Sequence, residues 1–183
     1  MQFQSARPDV IRAINQRWLL QFWNDSRGGG ELPQWRDLEG QDLSAMSANL
    51  SFTDVVAADG GPRFLIRYHG ANIGLAYGSD CHGKYLDQIL PPTFREPALA
   101  TYRQVVAGKV PVYTAFTTSD SSGRLVHYER LLLPFAREGL HVDRILASLE
   151  MVSLDGAFEI NNLMTASHTP SSFALCATIA VGD

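Results

Sequence analysis

The pattern of apolar positions predicts a helix near the start of the chain. Apolar residues recur at helical spacing within residues 8–26, at Ile11, Ile14, Trp18 and Phe22. Pro8 stands near the start of this segment, as is common at helix N-termini. Three successive glycines at positions 28–30 then predict its end, because glycine readily takes the conformations that stop a helix.

Two strands are predicted in the next part of the chain, after a short helical pattern over residues 38–50. Residues 52–58 read as a strand, and residues 63–69 alternate between apolar and polar positions as a second strand does. The four residues between them, Asp59-Gly60-Gly61-Pro62, have strong turn chemistry. The two strands therefore predict a β-hairpin.

The middle of the chain predicts short helices followed by one longer helix. Glycines recur through residues 70–90 among short apolar pieces, which indicates helical turns rather than one long element. After Pro91-Pro92, residues 94–108 form a helical pattern whose apolar face holds Phe94, Leu99, Tyr102 and Val106.

Three further strands are predicted at residues 110–118, 124–135 and 140–152, joined by short turns. Consecutive strands with short connections indicate an antiparallel meander. The tail over residues 153–183 is weakly patterned, and its segment FALCATIAV is compatible with either a strand or a packed terminal segment. The predicted fold class is α+β with a single antiparallel sheet.

Composition narrows the classes of function. The 183 residues are 45% hydrophobic and 19% charged, as in a globular core, and the formal net charge of −4 gives no electrostatic drive toward nucleic acid. The apolar runs are too short for a membrane span, and the N-terminus has no apolar stretch typical of a secretory signal. Two isolated cysteines do not make a disulfide framework, so we expect a reduced, cytoplasmic protein.

One stretch resembles a phosphate-binding P-loop: Gly78 is followed by four residues and then by Gly83 and Lys84. The hydroxyl that should follow for Mg²⁺ is replaced by Tyr85, and no parallel sheet is indicated around the loop. We therefore predict no ATP binding here. Gly83 is instead interpreted as a sharp turn between helical pieces, with a positive φ.

The same neighbourhood resembles the middle of a PAS domain. The residues that carry this resemblance are Ala71-Asn72-Ile73 and Gly83-Lys84-Tyr85-Leu86-Asp87-Gln88-Ile89-Leu90-Pro91. The flanks add Trp23-x-x-x-Arg27 before the first strand and Tyr128-Glu129-Arg130-Leu131-Leu132-Leu133-Pro134 in the fourth strand. Over residues 18–152 the set looks like a bacterial family of stand-alone PAS-like proteins of previously unknown function.

The resemblance implies a five-stranded antiparallel sheet with short helices and one longer helix on one face, plus an N-terminal flanking helix. The corresponding boundaries are an N-terminal helical extension at 1–34, a PAS-like domain at 35–152 and a C-terminal tail at 153–183. The apolar stripe of the N-terminal helix then has two interpretations. It packs on its own sheet, or it forms a homodimer, as flanking helices of PAS domains often do.

The function implied by the resemblance is that of a non-enzymatic sensory or regulatory module. Such a module binds a small ligand, a signalling-protein partner, or both, and we expect it to signal in trans. Two alternatives stay open: a small α+β enzyme that uses the same cavity, and an adaptor whose core is filled by side chains. A pocket would lie between the sheet and the helix at residues 94–108.

Candidate lining residues for that pocket are Tyr68, Tyr102, Phe116, Tyr128 and Arg130. The strand at residues 124–135 has leucines on both faces, so its alternation does not decide which face is inward. An inward Arg130 would need a buried partner or an anionic ligand. The two-sided apolar character also indicates that the outer face of the sheet is covered.

No catalytic residue or metal site is assigned. The five histidines show no metal-ligand spacing. Haem held by a histidine of the long helix is not expected, because residues 94–108 contain none. Covalently attached flavin is not expected at Cys81, because Asp80-Cys81-His82-Gly83 replaces the Asn-Cys-Arg-Phe context. A Cys81–His82 nucleophile pair is disfavoured, because neighbours on an irregular turn usually point apart.

Overall fold

Seven strands form one sheet, in the order β1-β7-β4-β5-β6-β2-β3. The structure is a computed structural model that describes residues 2–153, 156–166 and 172–180; the rest of the predicted C-terminal tail lies outside the described residues. The strands are β1 (Gln4–Ala6), β2 (Leu50–Val56), β3 (Arg63–His69), β4 (Val112–Ser119), β5 (Leu125–Phe135), β6 (Arg144–Ser153) and β7 (Ser172–Ile179).

The sequence-based prediction of a purely antiparallel five-stranded sheet is therefore wrong in two respects. The five predicted strands, β2 to β6, are present and antiparallel. Beyond them, β7 adds to β4 in antiparallel fashion, and β1 pairs with β7 in parallel. A three-residue strand such as β1 is too short to show alternation, so its pairing with a strand far along the chain left no sequence signal.

Helices flank both faces of this sheet. They are α1 (Ile14–Ser26), α2 (Trp35–Glu39), α3 (Ala71–Tyr77), α4 (Leu86–Ile89), α5 (Pro92–Gly108) and α6 (Leu163–Ala166), with 3₁₀ turns at Pro8–Val10 and Ser44–Asn49. A proline near the N-terminus starts α5, and Lys109, at a φ of 53°, ends it. The fold is thus α+β with a mixed sheet.

Helix α5 and the short helices α3 and α4 cover one face of the sheet, here called the inner face. The Phe64 ring of β3 lies 5.0 Å from the Tyr102 ring of α5, and the Phe116 ring of β4 lies 4.9 Å from the Phe94 ring. The face of α5 that these rings share also buries Ala98 and Val105 at helical spacing. The candidate pocket between the sheet and α5 is therefore part of this layer.

Helix α1 covers the opposite, outer face. Trp23 is fully buried, and its indole Nε1 donates a hydrogen bond to the Pro134 carbonyl of β5 at 2.6 Å. Gln16, also fully buried, donates from Nε2 to the Ser148 carbonyl of β6 at 3.0 Å. Leu19 and Leu20 complete the contact face. This coverage explains why β5 carries leucines on both of its faces.

The apolar stripe predicted for the N-terminal helix divides between two faces. Ile11 is buried, but Ile14 is 77% exposed and Trp18 is 42% exposed. Trp18 stacks on the half-buried Phe22 with ring centroids 5.7 Å apart. The residues that meet the sheet lie on the other side of the helix, so α1 has one packed face and one apolar face that is open.

The segment over residues 156–166 is fastened back onto the domain at two points. Asp120, in the β4–β5 turn, accepts hydrogen bonds from the amides of Ser122, Arg124 and Glu159 at 2.9–3.0 Å. At the second point, the Asn162 amide donates to the Leu75 carbonyl of α3 at 2.9 Å, and the Asn162 side-chain oxygen lies so close to Gly78 that a Cβ there would come within 1.9 Å of it. This part of the tail is thereby an integral layer of the fold.

Candidate functional site

A small cavity lies between the inner face of the sheet and helices α3, α4 and α5. Its volume is about 20 Å³, more than the roughly 10–15 Å³ that one water molecule needs. Aliphatic side chains form much of its wall: Ile66, Ile73, Leu86, Ile89, Leu90 and Leu149. Polar and aromatic side chains form the rest, chiefly His69, Tyr77, Cys81, Tyr102, Tyr128 and Arg130. The cavity therefore combines an apolar wall with convergent polar groups, which is typical of a small-molecule site.

Arg130 is the charged group of this cavity. It projects from the middle of β5 and is only 3% exposed. Its Nη2 donates to the Thr101 hydroxyl of α5 at 2.8 Å, whereas its Nε has no hydrogen-bond partner. Its guanidinium carbon lies 5.5 Å from the Tyr102 ring centroid, within the range of a cation–π contact. Burying an unpaired cation costs on the order of several kcal/mol, so this arrangement needs compensation.

Two threonines flank the guanidinium. The Thr101 hydroxyl donates to the Ala98 carbonyl at 2.6 Å, which leaves its oxygen lone pairs free to accept from Arg130. Thr114 of β4 stands directly opposite Arg130 in the sheet, so their side chains share the inner face. The Thr114 hydroxyl is buried and also lacks a hydrogen-bond partner. Thr101 thus orients the guanidinium, while Arg130 Nε and Thr114 remain available.

Three tyrosines surround the arginine as neutral phenols. Burial raises the pKa of Tyr77, Tyr102 and Tyr128, and the positive charge of Arg130 opposes that increase at each of them. At neutral pH these residues therefore offer hydroxyl groups rather than phenolates. The cavity carries one net positive charge from Arg130, and its tyrosines do not neutralise it.

His69 at the end of β3 and Cys81 in the loop before α4 also line the cavity. The backbone amide of Cys81 donates to His69 Nε2 at 3.1 Å, and His69 Nε2 also lies 2.8 Å from an Asp80 carboxylate oxygen. Burial raises the pKa of the Cys81 thiol, so it is a thiol rather than a thiolate at neutral pH. His82 is exposed on the turn, away from the cavity-lining set. These features disfavour the Cys81–His82 nucleophile pair.

The P-loop-like stretch is not built to bind phosphate. The amides that would have to cradle phosphate already donate within the chain, namely those of Gly78, Ser79, Cys81, His82, Gly83 and Lys84. Gly83 bonds to the edge of β3 through the Ile66 carbonyl at 2.9 Å, and its φ is 74°. The predicted turn with positive φ is therefore confirmed. Helix α4 after it spans only four residues.

The structure brings three of the five predicted pocket residues together: Tyr102, Tyr128 and Arg130 line the cavity. Phe116 lies beside them, with its ring 4.4 Å from that of Tyr128, but packs in the core next to the cavity.

Tyr68 lies elsewhere, on the outer face of the sheet, where its ring stacks 5.1 Å from that of Phe52. The register between β2 and β3 shifts at Phe52 and Thr53, so that Arg67 is skipped in the pairing. This bulge turns Tyr68 outward and His69 inward. Sequence alternation gave no signal of it, which is why His69 was missed as a lining residue. Tyr77 was missed because the short α3 gave no clear inward face.

A second polar cluster lies under α1 on the outer face. Glu129 of β5 is 5% exposed and stands directly opposite Glu150 of β6. His127 Nε2 lies 3.2 Å from a Glu129 carboxylate oxygen. Burial raises the pKa of Glu150, the negative charge of Glu129 raises it further, and a hydrogen bond from Asn15 of α1 opposes both. Two facing carboxylates are thus held beneath the helix.

Neither a cluster of potential metal ligands nor a helix suited to a membrane crossing occurs in the described residues. Across residues 2–153, 156–166 and 172–180, no group of three or more histidine, cysteine or acidic side chains is arranged to hold a metal ion. Within the same ranges, none of the helices combines the length and apolarity that a membrane crossing requires.

Comparison with known proteins gives a match over most of the chain. A family model described as a PAS domain matches residues 12–150. Eight chains of solved structures match. One of them belongs to the structure described as "The light state structure of the blue-light photoreceptor Aureochrome1 LOV". That structure is 15% identical, with a TM-score of 0.44, and the match covers 62% of this chain and 88% of the photoreceptor chain. No curated protein matches.

Proposed function

The chain belongs to the PAS domain family, and on that premise we propose that it is a sensory or regulatory module. PAS domains are typically sensory rather than enzymatic. The module binds a small ligand in the cavity between the inner face of the sheet and α5. It passes the signal on through contacts with other protein chains.

The observation that carries this proposal is the cavity with its buried polar groups. A core that serves only stability is filled with apolar side chains, because each buried polar group costs free energy unless it is paired. Here Arg130 and Thr114 each keep a donor group unpaired in or beside the cavity. Such unsatisfied groups are retained where a ligand completes them.

The homodimer is the second part of the proposal, and the open face of α1 supports it. Ile14, Trp18 and Phe22 follow one another four residues apart on one side of the helix, while the other side is packed on the sheet. An apolar stripe of this kind is complementary to a second copy of itself across a two-fold axis. The helix therefore joins the ligand-binding domain to its partner.

The small-molecule part is tested by analysing what the purified protein carries. Protein purified from cells is denatured, and the released small molecules are identified by mass spectrometry. Ser51→Leu fills the cavity, which Ser51 lines, and Ser121→Leu makes the same change at an exposed turn position. We expect one released compound from the parent and from Ser121→Leu, and none from a folded Ser51→Leu.

A second candidate function, an adaptor without a ligand, is favoured by the small cavity volume of about 20 Å³ and by the exposed stripe on α1. The same experiment separates the two functions. If no compound is released from the parent while light scattering still shows association of chains, the adaptor function holds and the ligand-binding module is rejected.

A further inference from the structure

Within the part of the chain that the structure describes, Arg130, the buried cation of the cavity, forms no ion pair with a carboxylate. Among the described residues, the carboxylates that form ion pairs all do so with cations other than Arg130. The aromatic rings and hydroxyls around Arg130 supply contact, but none of them supplies negative charge at neutral pH. The charge of the cavity is therefore uncompensated by its own lining.

The contrast with Asp54 makes this absence informative. Three arginines, Arg67, Arg137 and Arg144, share the Asp54 carboxylate at 2.7–2.9 Å on the outer side of the sheet. The side chains of Arg67 and Arg137 are about half exposed, at 51% and 54%, so water already solvates them. Arg67 and Arg137 thus share a carboxylate although water already solvates them. Arg130, at 3% exposure, where the cost of an unpaired cation is greatest, has no carboxylate partner among residues 2–153, 156–166 and 172–180.

We propose that the cavity ligand is a small carboxylate, held by its charge against the Arg130 guanidinium. This inference rests on the proposed ligand-binding function and specifies its ligand class. The carboxylate accepts from Arg130 Nε, the N–H that has no partner within the protein. Its hydrocarbon end lies against the aliphatic wall formed by residues such as Ile66, Ile73 and Leu149. A volume of about 20 Å³ must hold the whole ligand, carboxylate included, so it admits formate and at most acetate.

The surroundings of Arg130 favour this planar, singly charged group. Thr101 fixes the plane of the guanidinium through Nη2, so the Nε edge has a defined direction. A guanidinium edge matches the two oxygens of a carboxylate better than it matches a spherical ion. Thr114, across the strand from Arg130, adds a hydroxyl without a partner. The binding group is thus assembled from β4, β5 and α5.

The test is a thermal-shift titration of the full chain, dialysed until no bound compound remains, with matched pairs of compounds. Sodium formate, acetate and propionate are compared with formamide, acetamide and propionamide, which keep the shape and lose the charge. Sodium chloride and sodium nitrate test whether any small anion suffices, and sodium gluconate, too large for the cavity, holds the ionic strength constant. A ligand at ten times its Kd raises the melting temperature of a chain of this size by roughly 3–6 °C.

We expect a saturable increase with formate, a smaller increase with acetate, and none with propionate or with the amides. Arg130→Met removes the charge and keeps an unbranched apolar side chain in its place. We expect it to abolish the carboxylate response while raising the melting temperature of the ligand-free protein, because it removes an unpaired buried cation. If Arg130 has only a structural role, Arg130→Met should instead lower the melting temperature of the ligand-free protein.

Three outcomes would overturn the carboxylate assignment. These are no shift with any carboxylate, equal shifts with the amides, and equal shifts with chloride and nitrate. The comparison within the parent chain needs no variant, so it stands even if Arg130→Met fails to fold. Should a neutral compound be released from purified protein in a manner that depends on Ser51, the module retains its function. Only its ligand class is then wrong.

Discussion

Trp23→Ala offers the sharpest test of how α1 is attached to the domain. Trp23 is fully buried between the helix and the outer face of the sheet, and its Nε1 donates to the Pro134 carbonyl at 2.6 Å. Truncation removes the whole indole from a packed site and leaves that carbonyl without its donor. Substitutions of this kind cost about 3–5 kcal/mol in free energy of unfolding. For a chain of this length, that lowers the melting temperature by roughly 6–20 °C.

The matched control is Trp18→Ala on the same helix. Trp18 is 42% exposed on the open face, and its ring contact is with Phe22 of the same helix. We expect its removal to change the free energy of unfolding by no more than about 0.5 kcal/mol when the protein is dilute. The proposed dimer, by contrast, should weaken. A third variant, Trp23→Phe, keeps an aromatic ring, loses the indole donor and should fall between the other two.

The assay is urea denaturation followed by circular dichroism at low protein concentration, with light scattering at higher concentration for the mass of the particle. Equal losses of stability in the two alanine variants would refute the assignment of packed and open faces. So would a larger loss in Trp18→Ala. If Trp18→Ala leaves the particle mass unchanged, the dimer proposal fails while the attachment of α1 stands.

Three further predictions concern the loop, the outer face and the tail. Gly83→Val should lower the melting temperature, because Gly83 has a φ of 74° and a Cβ there costs on the order of 1–2 kcal/mol or more. Lys84→Ala, one residue further along, should leave the melting temperature nearly unchanged. Equal melting temperatures for Gly83→Val and the parent would contradict the turn assignment. Glu150→Gln should stabilise the protein at neutral pH, because burial raises the pKa of Glu150 above the ordinary 4.5 and so disfavours its charged form. The gain in stability over the parent should shrink as the pH falls through that raised pKa. A difference in melting temperature that stays constant from pH 4 to pH 8 would exclude this effect of Glu150. The amide of Glu159 helps to lower the pKa of Asp120 from 3.8 to about 2, so the stabilisation that Asp120 provides is present above pH 4 and is lost as the pH falls toward 2. Asp120→Asn should therefore be less stable than the parent at pH 7, and this difference should disappear over the same acid range. A difference in stability that does not depend on pH would contradict the prediction.

The central part of the fold could be predicted from the sequence because its signals are local. Strands β2 to β6 alternate or carry continuous apolar runs between recognisable turns, and α5 repeats its apolar positions every three to four residues. Their antiparallel pairing follows from the short connections. The turn at Gly83 was also predictable, because glycine is the residue that such a backbone favours.

The parts that were missed depend on contacts between distant residues. The pairing of β1 with β7 joins the two ends of the chain. The bulge that turns Tyr68 outward and His69 inward is a property of two strands together, and strict alternation from Phe64 and Ile66 predicts the opposite side. The packed face of α1 was also missed, because it contains the polar Gln16. The side-chain amide of Gln16 bonds to β6, and this bond holds a polar residue in the core.

The most direct measurement of ligand binding in the cavity is an NMR titration of protein labelled at its isoleucine methyl groups. Ile66, Ile73 and Ile89 line the cavity, whereas Ile14 is 77% exposed on α1. On addition of sodium acetate, with sodium gluconate holding the ionic strength, we expect saturable shifts of the three cavity signals and an unchanged Ile14 signal. Arg130→Met should remove those shifts. Cavity signals that stay in place throughout the titration, or shifts confined to Ile14, would contradict a carboxylate ligand held beside Arg130.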